Sequence, residues 1–216
     1  MSNLVTPINS TKADVPVYMQ VISKYNVSAE KQHEEMLEIE EAKKNPAKFE
    51  ALYVRYHEQI FRYVYQRMDD KDEAKDVTQQ IFLKAITNLK NYEYKGVPFA
   101  SWLYRIAKSE TMEAHRQNQK TRAVNIDDTH IADVMGELGE KEIDKVELYG
   151  DKLADAIAEL EDDDLQLIEM RFFEKRSFKE IGEILEITEN YAKVRTYRVI
   201  DKLKLKLPLT HNKSAR

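Results

Sequence analysis

The sequence predicts an all-α fold: two helical domains joined by an acidic linker, the C-terminal one a helix-turn-helix. Three observations predict it. Apolar residues return every three or four positions through most of the chain, the period of an amphipathic helix. Only five Gly and five Pro occur in 216 residues, too few to punctuate an all-β protein. Charge is segregated: residues 46–120 carry 13 basic and 10 acidic side chains, 121–150 carry 3 and 8, and 151–207 carry 11 and 14. An acidic stretch therefore separates a basic-leaning block from a second block.

Residues 1–45 read as an N-terminal extension, partly disordered. The first 27 lack a clear period and contain Pro7 and Pro16. Ser28–Lys44 reads as an acidic helix, capped by Ser28 and stopped by Asn45-Pro46. The first domain, 46–120, opens with a helix over 47–68. Phe49, Leu52, Tyr53, Tyr56, Ile60, Tyr63, Val64 and Met68 share one of its faces. Asp69 to Asp72 form a polar turn and cap, and the next helix, over 72–89, turns Ala74, Val77, Ile81, Phe82, Ala85 and Ile86 inward. After the loop Asn91–Pro98, a helix from Phe99 to about Gln119 directs Phe99, Trp102, Leu103, Ile106 and Ala107 to the core.

The linker, 121–150, reads as extended or weakly helical, with apolar patches at 131–135 and 143–148. In the second domain, 151–207, Leu153, Ile157 and Leu160 make one helical face. Leu165, Ile168, Met170, Phe172 and Phe173 make the next, and Asp162–Asp164 suit the positive end of its dipole. Residues 208–216 read as a disordered tail.

The helix-turn-helix spans Ser177–Leu203. Phe178, Ile181, Ile184 and Leu185 fall on one face, Ile187 sits in the turn, and Thr188 can cap the second helix. Val194, Tyr197, Ile200 and Leu203 read as the second stripe, with Lys193, Arg195, Arg198 and Lys202 beside it. A second helix with a basic outer face is the form that enters the DNA major groove.

Catalysis finds no support. The five histidines are dispersed, and no HExxH, phosphate-binding loop or paired acidic metal motif occurs. No catalytic residue, metal or cofactor is therefore expected. The absence of cysteine fits a reducing cytoplasm. No apolar run reaches membrane-span length, and the N-terminus lacks a signal-peptide core, so a cytoplasmic protein without membrane insertion is expected.

The segments FEALYVRYHEQIFRYVYQRM, DEAKDVTQQIFLKAI and PFASWLYRIAKSETMEAHR closely resemble the second domain of bacterial sigma factors of the two-domain extracytoplasmic-function (ECF) type. The helix-turn-helix, preceded by LQLIEMRFFEKRSF, resembles their fourth domain. The resemblance spans about 47–120 and 151–205. It implies a sigma factor that binds core RNA polymerase through its beta and beta-prime subunits. Such a factor directs promoter recognition, melting and transcription initiation.

The resemblance also implies roles for single residues. Asp76, Gln79 and Phe82 match D-x-x-Q-x-x-F, so Asp76, Gln79, Gln80 and Leu83 would face the polymerase, with Phe82 packed inside. The loop carrying Asn91, Tyr92, Tyr94 and Lys95 would capture a flipped base of the promoter −10 element. Arg105, Lys108, His115 and Arg116 would track the −10 DNA. Arg171, Ser177, Lys179, Tyr191, Lys193, Arg195 and Arg198 would serve the −35 element. The acidic linker would occupy a basic polymerase channel, or be simply solvated.

Three departures weaken the expected −35 reading. Glu186 stands where the family turn usually has Gly, Glu189 adds negative charge at the start of the recognition helix, and the usual Pro after Leu160 is absent. Val15–Lys44 would then dock an anti-sigma factor or another regulatory or recruiting protein. The alternative is a stand-alone helix-turn-helix regulator binding operator DNA, which leaves the DxxQxxF helix unexplained.

Overall fold

A computed structural model describes residues 29–68, 70–118, 126–139 and 143–207. Ser28, the 1–27 segment, Asp69, Glu140, Glu142 and the 208–216 tail lie outside the described residues. Within them the chain forms nine α-helices and no strand. They are α1 (Ala29–Lys44), α2 (Phe49–Tyr65), α3 (Lys71–Asn88), α4 (Phe99–Asn118), α5 (Asp128–Glu137), α6 (Ile143–Ala158), α7 (Asp162–Ile168), α8 (Phe178–Leu185) and α9 (Glu189–Lys206).

Local chemistry sets many boundaries. Asn45 accepts from Ala47 N as Pro46 opens a short 3-10 turn after α1. Asp70 caps α3, accepting from Asp72 N and Glu73 N at 2.8 Å each. Asp127 and His130 form a reciprocal capping box on α5, and Ser177 and Glu180 form one on α8. Thr188 caps α9 through Tyr191 N at 3.2 Å, as its sequence position predicts. A π-helical turn, Glu169–Phe173, links α7 to the loop before α8.

Two apolar cores result. The first gathers α1–α4 and also Leu167, Met170, Ile181, Ile184 and Ala192 from the second block. The second gathers Ile131, Val134 and Met135 of α5 with α6, α7, the π turn and α9. The two blocks therefore pack on each other, with α4 lying against α8.

Two expectations change and a third is decided. The extension does not stand apart, because α1 packs on α2 and buries Ile39 and Ala42 in the first core. One fully buried Ile contributes about 2 kcal/mol, enough to make the helix part of the domain. Of the two readings of the linker, extended or weakly helical, its described residues take the helical one. Its apolar patches fold as α5 and the start of α6, and α6 runs across residue 150 into the second domain without a break. In α9 the buried stripe is Ala192, Thr196, Val199, Ile200 and Leu203, while Val194 and Tyr197 remain 41% and 40% exposed. Small residues at 192 and 196 let α9 approach α8 closely.

Candidate nucleic-acid and polymerase interface

Three surfaces carry the predicted residues. The first is the outer face of α3, where Asp76, Gln79, Gln80 and Leu83 are all exposed. Leu83 keeps 57% of its surface in water. Phe82 turns inward between Phe49 and Tyr53, with edge-to-face ring contacts at 6.5 and 4.9 Å. This Phe anchor fixes the roll of α3, and at 3.6 residues per turn Gln79, Leu83, Asp76 and Gln80 share the sector that runs from beside Phe82 round to the opposite side.

The second surface is a pocket of about 110 Å³ between the Asn91–Pro98 loop and the start of α4. Asn91, Tyr92, Lys95, Trp102 and Arg105 line it. Tyr92 is buried against Phe99 and Trp102, at ring separations of 5.1 and 5.2 Å, so it forms wall rather than tip. Burial, with the Glu35 and Tyr94 charges adding to it, pushes its hydroxyl above the ordinary tyrosine value. Tyr94 and Lys95 stay exposed. Lys108, His115 and Arg116 continue along α4 beyond the pocket, and Arg116 pairs with Glu113.

The third surface is the helix-turn-helix. Lys193 and Arg198 are exposed on α9, as is Tyr191. Ser177 is occupied as the α8 cap, and Arg171 lies over the Phe178 ring at 4.4 Å while donating to Arg176 O. Lys179 is exposed and its ammonium reaches the pocket loop; a methyl group on Gly96 would sit 3.0 Å from its Nζ. Arg195 is held within the domain, donating to Asp164 Oδ1 at 2.8 Å, with Asp163 and the Tyr191 hydroxyl at 3.3 Å.

Asp164 also receives Lys202 Nζ at 2.8 Å. The acidic run therefore does more than suit a helix dipole. Burial pushes the Asp164 carboxyl up, but its bonds to Lys202 and Arg195 outweigh that and hold it below the usual carboxylate value. It thus contributes stability above about pH 4, the unfolded value, and gives it up as pH falls through the lower folded value. Asp164→Asn is expected to lower the melting temperature near neutrality and to flatten its decline below about pH 4. Melting curves that run parallel for both proteins across that range count against the pairing.

Sequence reasoning missed the residues that join the blocks. Glu183 of α8 is a wall of the pocket and pairs with Lys95 at 3.4 Å, and Glu186 reaches Arg105 at 3.5 Å. Arg67, at the end of α2, meets Glu169 at 2.8 Å, both side chains being 2% exposed. Tyr104 of α4 is fully buried, accepts from Gln59 Nε2 at 2.8 Å and donates to Glu174. Only the i, i+4 relation of Tyr63 and Arg67 was locally visible; the partners lie about 70 to 100 residues away. Among the described residues, no cluster of His, Asp or Glu is disposed to hold a metal, and no helix is long and apolar enough to cross a membrane.

Residues 52–121 match the sigma-70 region 2 family and residues 156–205 match sigma-70 region 4. The ECF RNA polymerase sigma factor BldN of Streptomyces coelicolor is 26% identical over 160 residues, which cover 74% of this chain and 60% of BldN. The ECF RNA polymerase sigma factor SigW of Bacillus subtilis is 27% identical over 162 residues, covering 70% of this chain and 84% of SigW. The structure of CnrH in complex with the cytosolic domain of CnrY superposes with a TM-score of 0.55 at 17% identity. It covers 79% of this chain and 95% of that one, a likeness of fold.

Proposed function

The chain belongs to the sigma-70 family as a sigma factor of the ECF type, and from that premise we propose how its surfaces divide the work. α3 engages the core polymerase through Asp76, Gln79, Gln80 and Leu83. The pocket at Asn91–Arg105 takes a base of the −10 element, and α4 tracks the DNA through Lys108, His115 and Arg116. Lys193 and Arg198 contact the −35 element; Arg195, tied to Asp164, shapes the helix that presents them. The observation that carries this reading is the α3 face: three polar residues and a bare leucine are exposed around a buried Phe82. Depleted charge at the centre of a polar patch, with an apolar anchor, is what a protein interface needs.

Glu183 and Glu186 of α8 stand against Lys95 and Arg105, so they compete with promoter phosphates for those cations. The stand-alone regulator is not favoured, because the family match includes the first block as well as the helix-turn-helix. With polymerase and promoter DNA as its proposed partners, the protein is proposed to act in the cytoplasm. CnrH was solved with a cytosolic protein domain bound, and a comparable regulator is proposed for this chain.

The double variant Asp76→Lys, Gln79→Lys is expected to weaken core-polymerase affinity by tenfold or more, on the order of a hot-spot loss, with its circular dichroism and melting unchanged. Co-elution with core polymerase at wild-type affinity would sink the assigned face.

A further inference from the structure

The N-terminal helix grips the pocket loop at both ends. We propose that Glu35 is a positioning residue for −10 reading, holding the start of α4 and the Asn91–Pro98 loop in the geometry that selects a base. The proposal rests on the reading of this pocket as the −10 site.

α4 begins without a side-chain cap of its own. Phe99 opens it and Pro98 precedes it, and a prolyl ring offers no acceptor to the first free amides. The cap comes from another helix. Glu35 Oε2 accepts from Phe99 N at 2.8 Å, across 64 positions of sequence. Its other oxygen accepts from the Tyr56 hydroxyl on α2. Burial, reinforced by the Glu35 charge, pushes that hydroxyl above its ordinary value, so it stays a donor. Glu35 itself is 8% exposed, with Arg55 Nη1 at 3.9 Å. Its carboxylate also faces the positive end of the α4 dipole.

The same helix holds the rest of the loop. Lys43 Nζ donates to the Tyr92 carbonyl at 2.8 Å, and the Tyr94 hydroxyl donates to Gln32 Oε1 at 2.6 Å. Gln32, Glu35 and Lys43 thus fix residues 94, 99 and 92. Asn91, Lys95, Trp102 and Arg105, which line the pocket, sit between or beside those fixed points. A loop ordered before its ligand arrives loses less entropy on binding and discriminates better between near-identical ligands. The acidic helix reads from sequence as a regulator-docking element. Its buried carboxylate instead makes it part of the reading apparatus.

The test is in vitro transcription by core RNA polymerase with the full-length protein, on a template library randomised across the −10 positions. Glu35→Ala is expected to reduce the ratio of preferred to non-preferred −10 sequences about tenfold, the scale of one lost charge-assisted hydrogen bond. Core-polymerase affinity and −35 preference should stay at wild-type values. Glu35→Gln keeps an oxygen for Phe99 N and should keep the wild-type profile. Lys43→Met releases the loop from its other end and leaves no buried charge, so it carries the test if Glu35→Ala does not fold. Folded variants with an unchanged −10 profile would overturn the proposal, as would equal losses at −10, −35 and core binding. A wild-type protein without any −10 preference would instead refute the assignment of the pocket.

Discussion

Arg67→Ala is expected to cost about 3–5 kcal/mol of folding stability, the loss typical of breaking a buried ion pair from one side. In melting temperature that is on the order of 10 °C for a chain of this length. The guanidinium stacks over the Tyr63 ring at 3.5 Å, donates to Tyr63 O at 2.6 Å and meets Glu169 at 2.8 Å. None of these partners is open to water, so alanine leaves the Glu169 carboxylate buried without its cation. Leaving a buried carboxylate without its cation costs several kcal/mol. Attraction between two exposed charges would be worth under about 1 kcal/mol; burial makes the difference.

The double variant Arg67→Met, Glu169→Leu is expected to recover most of the loss, because apolar residues of similar volume need no compensating charge. Urea unfolding of the single and double variants measures both effects. The pair also joins α2 to the π turn of the second block, so its loss bears on whether the blocks stay together. A single variant within about 1 kcal/mol of wild type would mean that water reaches the pair and that the blocks part in solution. Two transitions in place of one would mean that they melt separately.

The range of the forces involved decides which features a sequence reveals and which it hides. Caps and turns depend on residues two to four apart, so Asp70, within its polar turn, and Thr188 announce themselves. The buried and exposed faces of α3 were equally legible, since a single large side chain, Phe82, sets the phase. α9 misleads because periodicity gives weight to Val194 and Tyr197, whereas close packing needs the smaller Ala192 and Thr196. The α5 segment misleads differently: its charge average suggests solvation, yet Ile131, Val134 and Met135 are enough to seat it in the second core. On α4, Phe99 and Leu103 mark one face, but Tyr104 belongs to a neighbouring stripe covered by Tyr63 and Gln59 of α2 together with Glu174 of the second block. Glu35, Glu169 and Glu174 were hidden for a common reason. A carboxylate looks solvated until the distant donor that buries it is known.

The turn of the helix-turn-helix is expected to respond with opposite signs to substitutions four residues apart. Gly182→Ala should destabilise the second domain by about 1–3 kcal/mol, as overpacking does. A Cβ there would lie 2.8 Å from Ile187 O and 3.3 Å from Glu189 N, both backbone atoms that cannot swing aside. Relief requires the turn to open, which also breaks the Ile187 N to Gly182 O bond of 3.0 Å and shifts α9 relative to α8. Glu186→Gly should stabilise by about 1 kcal/mol. Glu186 adopts φ 59 and ψ 41, the left-handed region where a Cβ costs roughly 1–2 kcal/mol and glycine costs little. The opposing term is the loss of its contact with Arg105 at 3.5 Å, but the Glu186 side chain is 74% exposed, so that pair contributes little. Backbone strain therefore wins. Thermal unfolding of both variants reads the signs directly. A neutral Gly182→Ala would mean the helices meet less closely than 2.8 Å implies. A destabilising Glu186→Gly would mean the link to Arg105 outweighs the strain, and that the contact between α8 and the pocket is a principal tie between the two blocks.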